Sequence, residues 1–417
     1  MSKFIINGGK KLSGEIVVGG SKNAMFPVLA ASLLTTDECR FTNVPAILDR
    51  EIFCKLIQDL GAEVEISDHT VVIRAKNLNK HVLNFELSSK LRGSIVLLGA
   101  LLGRFKQAKM SFPGGDVIGQ RSVSPHLRVF EKLGASISTE GGIEAQADKL
   151  VGSKIVLEES SVTATENAIL AAVLAEGQTL IKLAAMEPHI QQLCQFLNLM
   201  GAKISGIGTT NILIDGVSKL HGAQIELIPD SNEAASFITL AAATKSEIKI
   251  SKINPDFMDD FLMKLRQMNV DLKVGDDFVR VLIPKEEYRS AKIQCGLYPK
   301  MASDDMPPLA VLATQAKGES LIYEWLYENR LGHIPQLVKM GANAQILDTH
   351  QVKIIGSTLL KGAKIESFDI RMGMTLVIAA LVAEGKSEID GIHHVDRGYE
   401  HLEEKLSKLG ADIKRVD

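Results

Sequence analysis

The chain has 417 residues, 46% of them hydrophobic and 23% charged, the balance of a soluble globular protein too long for one ordinary core. A formal net charge of −3 and sparse aromatics, with Trp325 the single tryptophan, argue against a general nucleic-acid or membrane-surface binder. Cys39, Cys54, Cys194 and Cys295 lack C-x-x-C spacing and read as buried thiols in a reducing compartment. MSKFIINGG lacks the apolar core of a signal peptide, so a cytoplasmic protein is expected.

In chain order, residues 4–20 (FIINGGKKLSGEIVVGG) read as a leading hairpin that could complete the last structural unit. A unit of about seventy residues then repeats six times. Its marker is L-G-A-x-[IV] or a close relative: DLGAEVEI, KLGASIST, LMGAKISG, QMNVDLKV, KMGANAQI and KLGADIKR, with Gly61, Gly134, Gly201, Gly341 and Gly410, and Asn269 in the fourth copy. Each unit opens with an almost wholly apolar helix, from NAMFPVLAASLL in the first to MGMTLVIAALVAEG in the sixth. A strand follows, such as QTLIKLA, and then an amphipathic helix, clearest where Ile190, Leu193, Leu197 and Met200 recur at helical spacing. The marker glycine is placed to cap that helix, and two short strands close the unit.

A helix apolar all round must be buried, and one unit cannot cover its own. Three units must therefore pack their helices together, which predicts an α/β protein of two domains, helices inside and sheet outside. The expected boundaries are 21–229, carrying a glycine-rich loop, and 1–20 plus 230–417, with crossings near 20 and 230. That loop is PGGDVIGQR at 113–121, where glycines allow close backbone approach and Asp116 and Arg121 are the only charges.

Aligning the six apolar helices at their starts brings out Lys22, Arg92, Thr165–Glu166, Glu233, Asp304 and Arg371. The amphipathic helices begin with Arg50, Arg121, Glu187, Asp256, Arg330 and Arg397. A cation at a helix N-terminus is unfavourable by roughly 0.3–1 kcal/mol. Taken singly, each charge reads as a solvated cap or a surface ion pair. As a set at equivalent positions they should converge on one end of each domain, facing a cleft that suits a multiply anionic ligand, with Asp304 a candidate base. GIGTTN at 206–211 sits in a hairpin, and no Walker or HExxH motif occurs. His393 and His394 suggest a local structural role, so neither a metal nor a cofactor is expected.

GGSKNA (19–24), LRGSIVLLGALLGRF (91–105), PGGDVIGQR, SVTATENAILAAVLAEG (161–177), ENRLGHIPQLVKMGA (328–342) and HHVDRGYEHLEEKLSKLGA (393–411) together resemble the enolpyruvyl transferases over the whole chain. The resemblance implies two inverse α/β barrels, each of three βαβαββ units, acting on phosphoenolpyruvate and UDP-N-acetylglucosamine. The sugar 3-hydroxyl would add to C2 of the enol ether as a proton arrives at C3, and phosphate would then leave. By matched motif, Lys22, Arg121 and Arg397 would hold phosphoenolpyruvate, with Asn23 and Arg92 around the substrates and Arg330 and Arg371 adding positive charge. Asp304 would accept the hydroxyl proton, with Asp305 as the neighbour that could be confused with it. Arg121, Ser122, Val123, Ser124 and Pro125, with Ser161, Val162, Thr163 and Leu326, would contact the nucleotide. The loop would close over the cleft, with Asp116 as its acid.

The chain departs from the common family pattern at several points. Asp116 occupies the loop position usually held by cysteine, and Ser122-Val123-Ser124 lacks a uracil-facing carboxylate. Thr163 replaces a glycine, Glu159 a lysine, and Met301-Ala302-Ser303 the phenylalanine–proline–threonine before Asp304. Two other readings remain: transfer to a different hydroxyl acceptor, or a non-catalytic nucleotide-sugar binder. Neither nucleic acid nor membrane is an expected partner.

Overall fold

The structure, a computed structural model, describes residues 2–116 and 118–416. Six helices carry the core: Lys22–Ala31, Val96–Phe105, Val162–Ala172, Ser231–Ala243, Met306–Gln315 and Ile370–Val382. Nearly every side chain on them is buried, including Leu29, Leu98, Ile169, Phe237, Leu312 and Ile378. Each fully buried leucine or isoleucine contributes about 1.5–3 kcal/mol relative to exposure, so these helices hold only where apolar neighbours enclose them.

The enclosure is by threes. Residues 20–115 and 121–228 form one compact unit around the first three core helices. Residues 1–19, 116–120 and 229–417 form the other around the last three. The middle of the 113–121 segment thus packs with the C-terminal unit, not with the N-terminal domain expected to carry it. Its attachments explain the difference: Asp116 pairs with Arg397, the Asn329 N–H donates to the Ile118 carbonyl at 3.0 Å, and the Gln120 N–H donates to Glu328 at 2.6 Å. Val117 lies outside the described residues.

Among the described residues six small sheets surround the cores, and they share one plan. In the third repeat a lead strand, Lys154–Val156, runs parallel to Gln178–Lys182, which pairs antiparallel with Asn211–Asp215, and that strand with Lys203–Ser205. The second repeat has three strands, its lead reduced to a bridge between Val82 and Lys109. The expected N-terminal hairpin is absent, since its two strands join different sheets. Lys3–Asn7 lies between Lys386–Asp390 and Asp412–Val416 and completes the sixth repeat. Ser13–Val17 is the lead strand of the fourth repeat, parallel to Glu247–Ser251. In turn Gln224–Glu226 leads the first repeat, parallel to Glu38–Thr42. Both lead strands stay with the unit that the chain is about to leave.

The repeat marker proves to be a helix stop. All five marker glycines have φ of 95–105°, and Asn269 has φ 61°. At every copy the marker N–H reaches back three residues and the following N–H reaches back five, as in Gly201 to Asn198 and Ala202 to Leu197. That is the Schellman termination, which needs a left-handed residue at its turn and so selects glycine, or asparagine once.

The second and third core helices meet most closely at Gly99. A Cβ there would stand 2.6 Å from Oδ1 of Asn167 and 2.7 Å from its carbonyl oxygen, and the Gly99 N–H donates to that same Oδ1. Gly99→Ala should therefore cost roughly 1–3 kcal/mol by overpacking. Urea denaturation checks this, and an unchanged midpoint would show that the helices are free to move apart.

Candidate functional site

The residues singled out from sequence are divided between the two units. In the N-terminal unit Lys22 is the first residue of its core helix, which Ser21 caps by accepting from the Ala24 N–H. The Lys22 ammonium is compensated at that position by Asp49, 3.0 Å away and fully buried in the adjoining helix Leu48–Asp59. Asn23 follows on the same turn, half-buried. Arg50, the next residue after Asp49, donates to the Asp68 carbonyl at 2.7 Å.

Arg92 begins the turn Arg92–Ile95 that precedes the second core helix. Its guanidinium donates to the backbone carbonyls of Arg121, at 2.7 Å, and Ser122, at 3.4 Å. The cation expected to face a ligand thus pins the strap that carries Arg121. Ser122 accepts from the Ser124 N–H through its hydroxyl, which starts helix Ser124–Lys132 with Pro125 in its first turn. Ser161 caps the third core helix, and Val162 and Thr163 open it. His126 joins the two segments: Asn167 donates to Nδ1 at 2.7 Å, and Nε2 lies 3.2 Å from the Thr163 hydroxyl. Asn167 also donates to the Ile95 carbonyl while accepting from Gly99, so its amide orientation is set. His126 is then neutral, with its proton on Nε2. Burial, reinforced by nearby Arg92, pushes its pKa down to about 3.

The C-terminal unit holds the denser cluster. Asp304 sits in the turn Ser303–Asp305 that leads into the fifth core helix. One carboxylate oxygen accepts from Arg330 at 2.5 Å and the other from Arg371 at 2.9 Å. Both arginines are buried, whereas the Asp304 side chain is 29% exposed and keeps an open face. Arg371 also donates to the Tyr399 hydroxyl at 3.1 Å, and its guanidinium lies over the Tyr399 ring. Asp369 caps the sixth core helix and stands 3.9 Å from Arg330. Leu326 is part-exposed, and its N–H and that of Tyr327 donate to the buried Glu324 carboxylate. The other oxygen of Glu324 accepts from Ser303, so one side chain ties the Leu326 strand end to the Asp304 turn.

Arg397 follows the short helix His393–Asp396 and forms an ion pair with Asp116 at 2.5 Å. The cation brought to the loop carboxylate is therefore Arg397, from a distant part of the sequence. Among the other aligned charges, Glu233 pairs with Lys405 at 2.7 Å and Asp256 lies exposed in the turn Pro255–Met258. Glu166 is buried beside His189, 3.9 Å away, and burial with nearby Glu187 raises its pKa well above the usual range. Of the aligned charges, Asp304, Arg330 and Arg371 thus come into direct contact, while Glu233 pairs with Lys405.

Asp49, His126, Glu324 and Tyr399 were not singled out from sequence. Asp49 adjoins Arg50 at a helix start and could have been found there. The others show themselves only as contacts between distant segments. No group of histidine, cysteine or acidic side chains able to hold a metal occurs among the described residues, and no described helix is long and apolar enough to cross a membrane.

The family model described as EPSP synthase (3-phosphoshikimate 1-carboxyvinyltransferase) matches residues 6–406. The chain is 42% identical over 417 residues, 100% of both chains, to a protein of Desulforapulum autotrophicum named UDP-N-acetylglucosamine 1-carboxyvinyltransferase. It is 41% identical, over 100% of its own length and 99% of the relative's, to UDP-N-acetylglucosamine 1-carboxyvinyltransferase 2 of Clostridium acetobutylicum. Among solved structures, the enolpyruvyl transferase NikO from Streptomyces tendae matches at TM-score 0.90 and 25% identity, over 100% of this chain and 99% of that one. EPSP synthase from Acinetobacter baumannii shares the fold at TM-score 0.76 and 20% identity over 100% of each chain.

The buried histidine at the Thr163 contact predicts a pH dependence of stability. Between pH ~6.5, where a free histidine titrates, and about 3, the unfolded chain binds one more proton at His126 than the folded chain does. Its contribution is therefore complete above the unfolded pKa and is lost as pH falls. The stability gap between the wild type and His126→Gln should shrink by roughly 1.4 kcal/mol per pH unit below 6.5. Urea titrations at pH 7, 6 and 5 measure it, and a constant gap would mean that His126 is protonated in the fold.

Proposed function

The chain belongs to the EPSP synthase (3-phosphoshikimate 1-carboxyvinyltransferase) family, and from that premise we propose that it transfers the enolpyruvyl group of phosphoenolpyruvate to the 3-hydroxyl of UDP-N-acetylglucosamine, releasing phosphate. The observation that carries this reading is identity of 42% across all of both chains with a relative named for that activity. The reaction is then the first committed step of peptidoglycan synthesis, run in the cytoplasm on two small substrates.

The roles we assign come from the matched motifs, and the local geometry supports some of them. Asp304, with one oxygen on each of two fixed arginines and a face left open, takes the proton of the attacking hydroxyl. Lys22, Arg121 and Arg397 bind the phosphate and carboxylate of phosphoenolpyruvate, and Asn23 and Arg92 line the substrates. Arg92 does so indirectly as well, by holding the backbone at Arg121 and Ser122. Ser122 to Pro125, Ser161 to Thr163 and Leu326 contact the nucleotide.

Asp116 delivers the proton to C3. Paired with Arg397 it is a carboxylate with its counter-ion in place and a poor acid. When the phosphate of phosphoenolpyruvate takes over the Arg397 guanidinium, Asp116 is left beside a dianion, which raises its proton affinity, and it takes up from solvent the proton that it then delivers. Substrate binding thus arms the acid.

A second reading, transfer to a different hydroxyl acceptor, is favoured by one observation. Where the family pattern has a glycine, Thr163 places its hydroxyl against His126, and the Ser122–Ser124 strap offers a hydroxyl contact in place of a carboxylate. A panel of UDP-sugars and phosphorylated cyclic alcohols, assayed by phosphate release from phosphoenolpyruvate, separates the two readings.

Asp304→Asn should lower kcat by about 10²–10⁴ while leaving ligand affinity within several-fold, because its charge is not needed to hold an anion. If Asp305→Asn is the inactive variant instead, the base is the neighbour. Lys22→Ala and Arg397→Ala should raise KM for phosphoenolpyruvate far more than KM for the sugar nucleotide. Equal effects on both would reassign the cations to the other substrate.

A carboxylate is a poorer nucleophile toward epoxides than a thiolate. The epoxide inhibitor that alkylates a loop cysteine in this family should leave the unmodified chain active and should inactivate Asp116→Cys. The wild-type pH–rate profile should also lie on the acid side of that variant's. Stoichiometric labelling of the wild type by the epoxide would remove Asp116 from the role of loop acid.

A further inference from the structure

Beside Asp304 lies a second carboxyl group for which the reaction as described has no use. Asp305 closes the same turn, is buried at 6% exposure, and accepts from the Asn232 side-chain amide at 2.9 Å. It makes no ion pair among the described residues, although two arginines stand close by on its neighbour. A carboxyl group buried with only a neutral partner is costly when ionised, so its presence next to the acceptor of the hydroxyl proton asks for a reason.

The reason lies in what two guanidinium groups do to a base. Asp304 has one oxygen on Arg330 and the other on Arg371, and each cation stabilises its ionised form. The clasp orients the carboxylate and at the same time weakens it as a proton acceptor. An anion on the next residue opposes that field, because neighbouring like charges each raise the proton affinity of the other, as Asp304 does for Asp305. Resting on the assignment of Asp304 as the base, we propose that Asp305 is a positioning residue that restores the basicity of Asp304 when it is ionised. The Asn232 amide, at the start of the fourth core helix, is the group that makes ionisation possible in this buried place.

The surroundings put the switch in a useful range. The groups facing Asp305 are Asp304 on its own turn, Asp230 at the cap of the fourth core helix, and Arg371 on the sixth, with Arg330 behind Asp304. Burial first and Asp304 second push its pKa up to about 7, and the Asn232 hydrogen bond and Arg371 pull the other way. Asp305 is therefore protonated at mildly acidic pH, leaving Asp304 to the arginines alone, and ionised at mildly alkaline pH, where Asp304 becomes the stronger acceptor. Turnover should climb through that range for a reason separate from the loop acid.

The test is the pH dependence of kcat and of both KM values between pH 5.5 and 8.5, by phosphate release from phosphoenolpyruvate with UDP-N-acetylglucosamine, for the wild type, Asp305→Asn and Asn232→Leu. The wild type should show an ascending limb centred near 7. Asp305→Asn keeps the size and loses the charge, so the limb should vanish and kcat at pH 8 should fall about three- to tenfold, with each KM within about twofold. Asn232→Leu removes the amide that favours the ionised form and should move the limb to higher pH. Asp305→Asn with an unchanged limb and wild-type kcat would overturn the proposal, as would a raised KM at constant kcat, the mark of a purely structural role. Retained turnover in Asp304→Asn would instead sink the assignment of the base, whatever Asp305 does.

Discussion

The constraint on which the molecule depends is that its core helices have no polar face. Leu97 to Leu102 in the second, or Leu376 to Leu381 in the sixth, leave no side to offer water, and a single repeat has only one small sheet with which to cover them. Three repeats together solve the problem, and the sheets are pushed outward as a consequence. With every face of these helices spent on packing, only their ends are left for chemistry. The candidate site residues accordingly sit at helix starts: Lys22, Arg92, Asp304 and Arg371.

Placing charge at those ends has an electrostatic cost, and the structure offsets it locally. Each cation that sits against the partial positive charge of a helix start has a carboxylate or carbonyl partner: Asp49 for Lys22, backbone oxygens for Arg92, and Asp304 for Arg330 and Arg371. Arg397 is matched in the same way by Asp116. The positions singled out for an anionic ligand thus carry paired groups and not bare charge.

The candidate site was legible where residue type and position carried the signal together. Asp304, Arg330 and Arg371 were singled out by their equivalent places in a repeat, and they touch. Glu233 and Asp256 were singled out by the same rule; one makes a local ion pair and the other lies exposed, because equivalence of position does not set where a long side chain points. Glu324, buried between two backbone segments, had no pattern to announce it. Its role is a product of where strand Gly318–Tyr323 ends relative to the Asp304 turn.

By itself the sequence determined the number of repeats, the burial of six helices and the terminations at Gly61, Gly134, Gly201, Asn269, Gly341 and Gly410. Those are local matters: hydrophobic periodicity and the backbone freedom of one residue are written into short windows. Only the tertiary structure decided that Lys3–Asn7 and Ser13–Val17 belong to different sheets, that Asp116, Ile118 and Gln120 pack with the C-terminal unit, and that Arg397 meets Asp116 across 281 positions of sequence. A strand of five residues has no intrinsic partner. Its pairing is chosen by whichever open sheet edge the packed helices leave beside it.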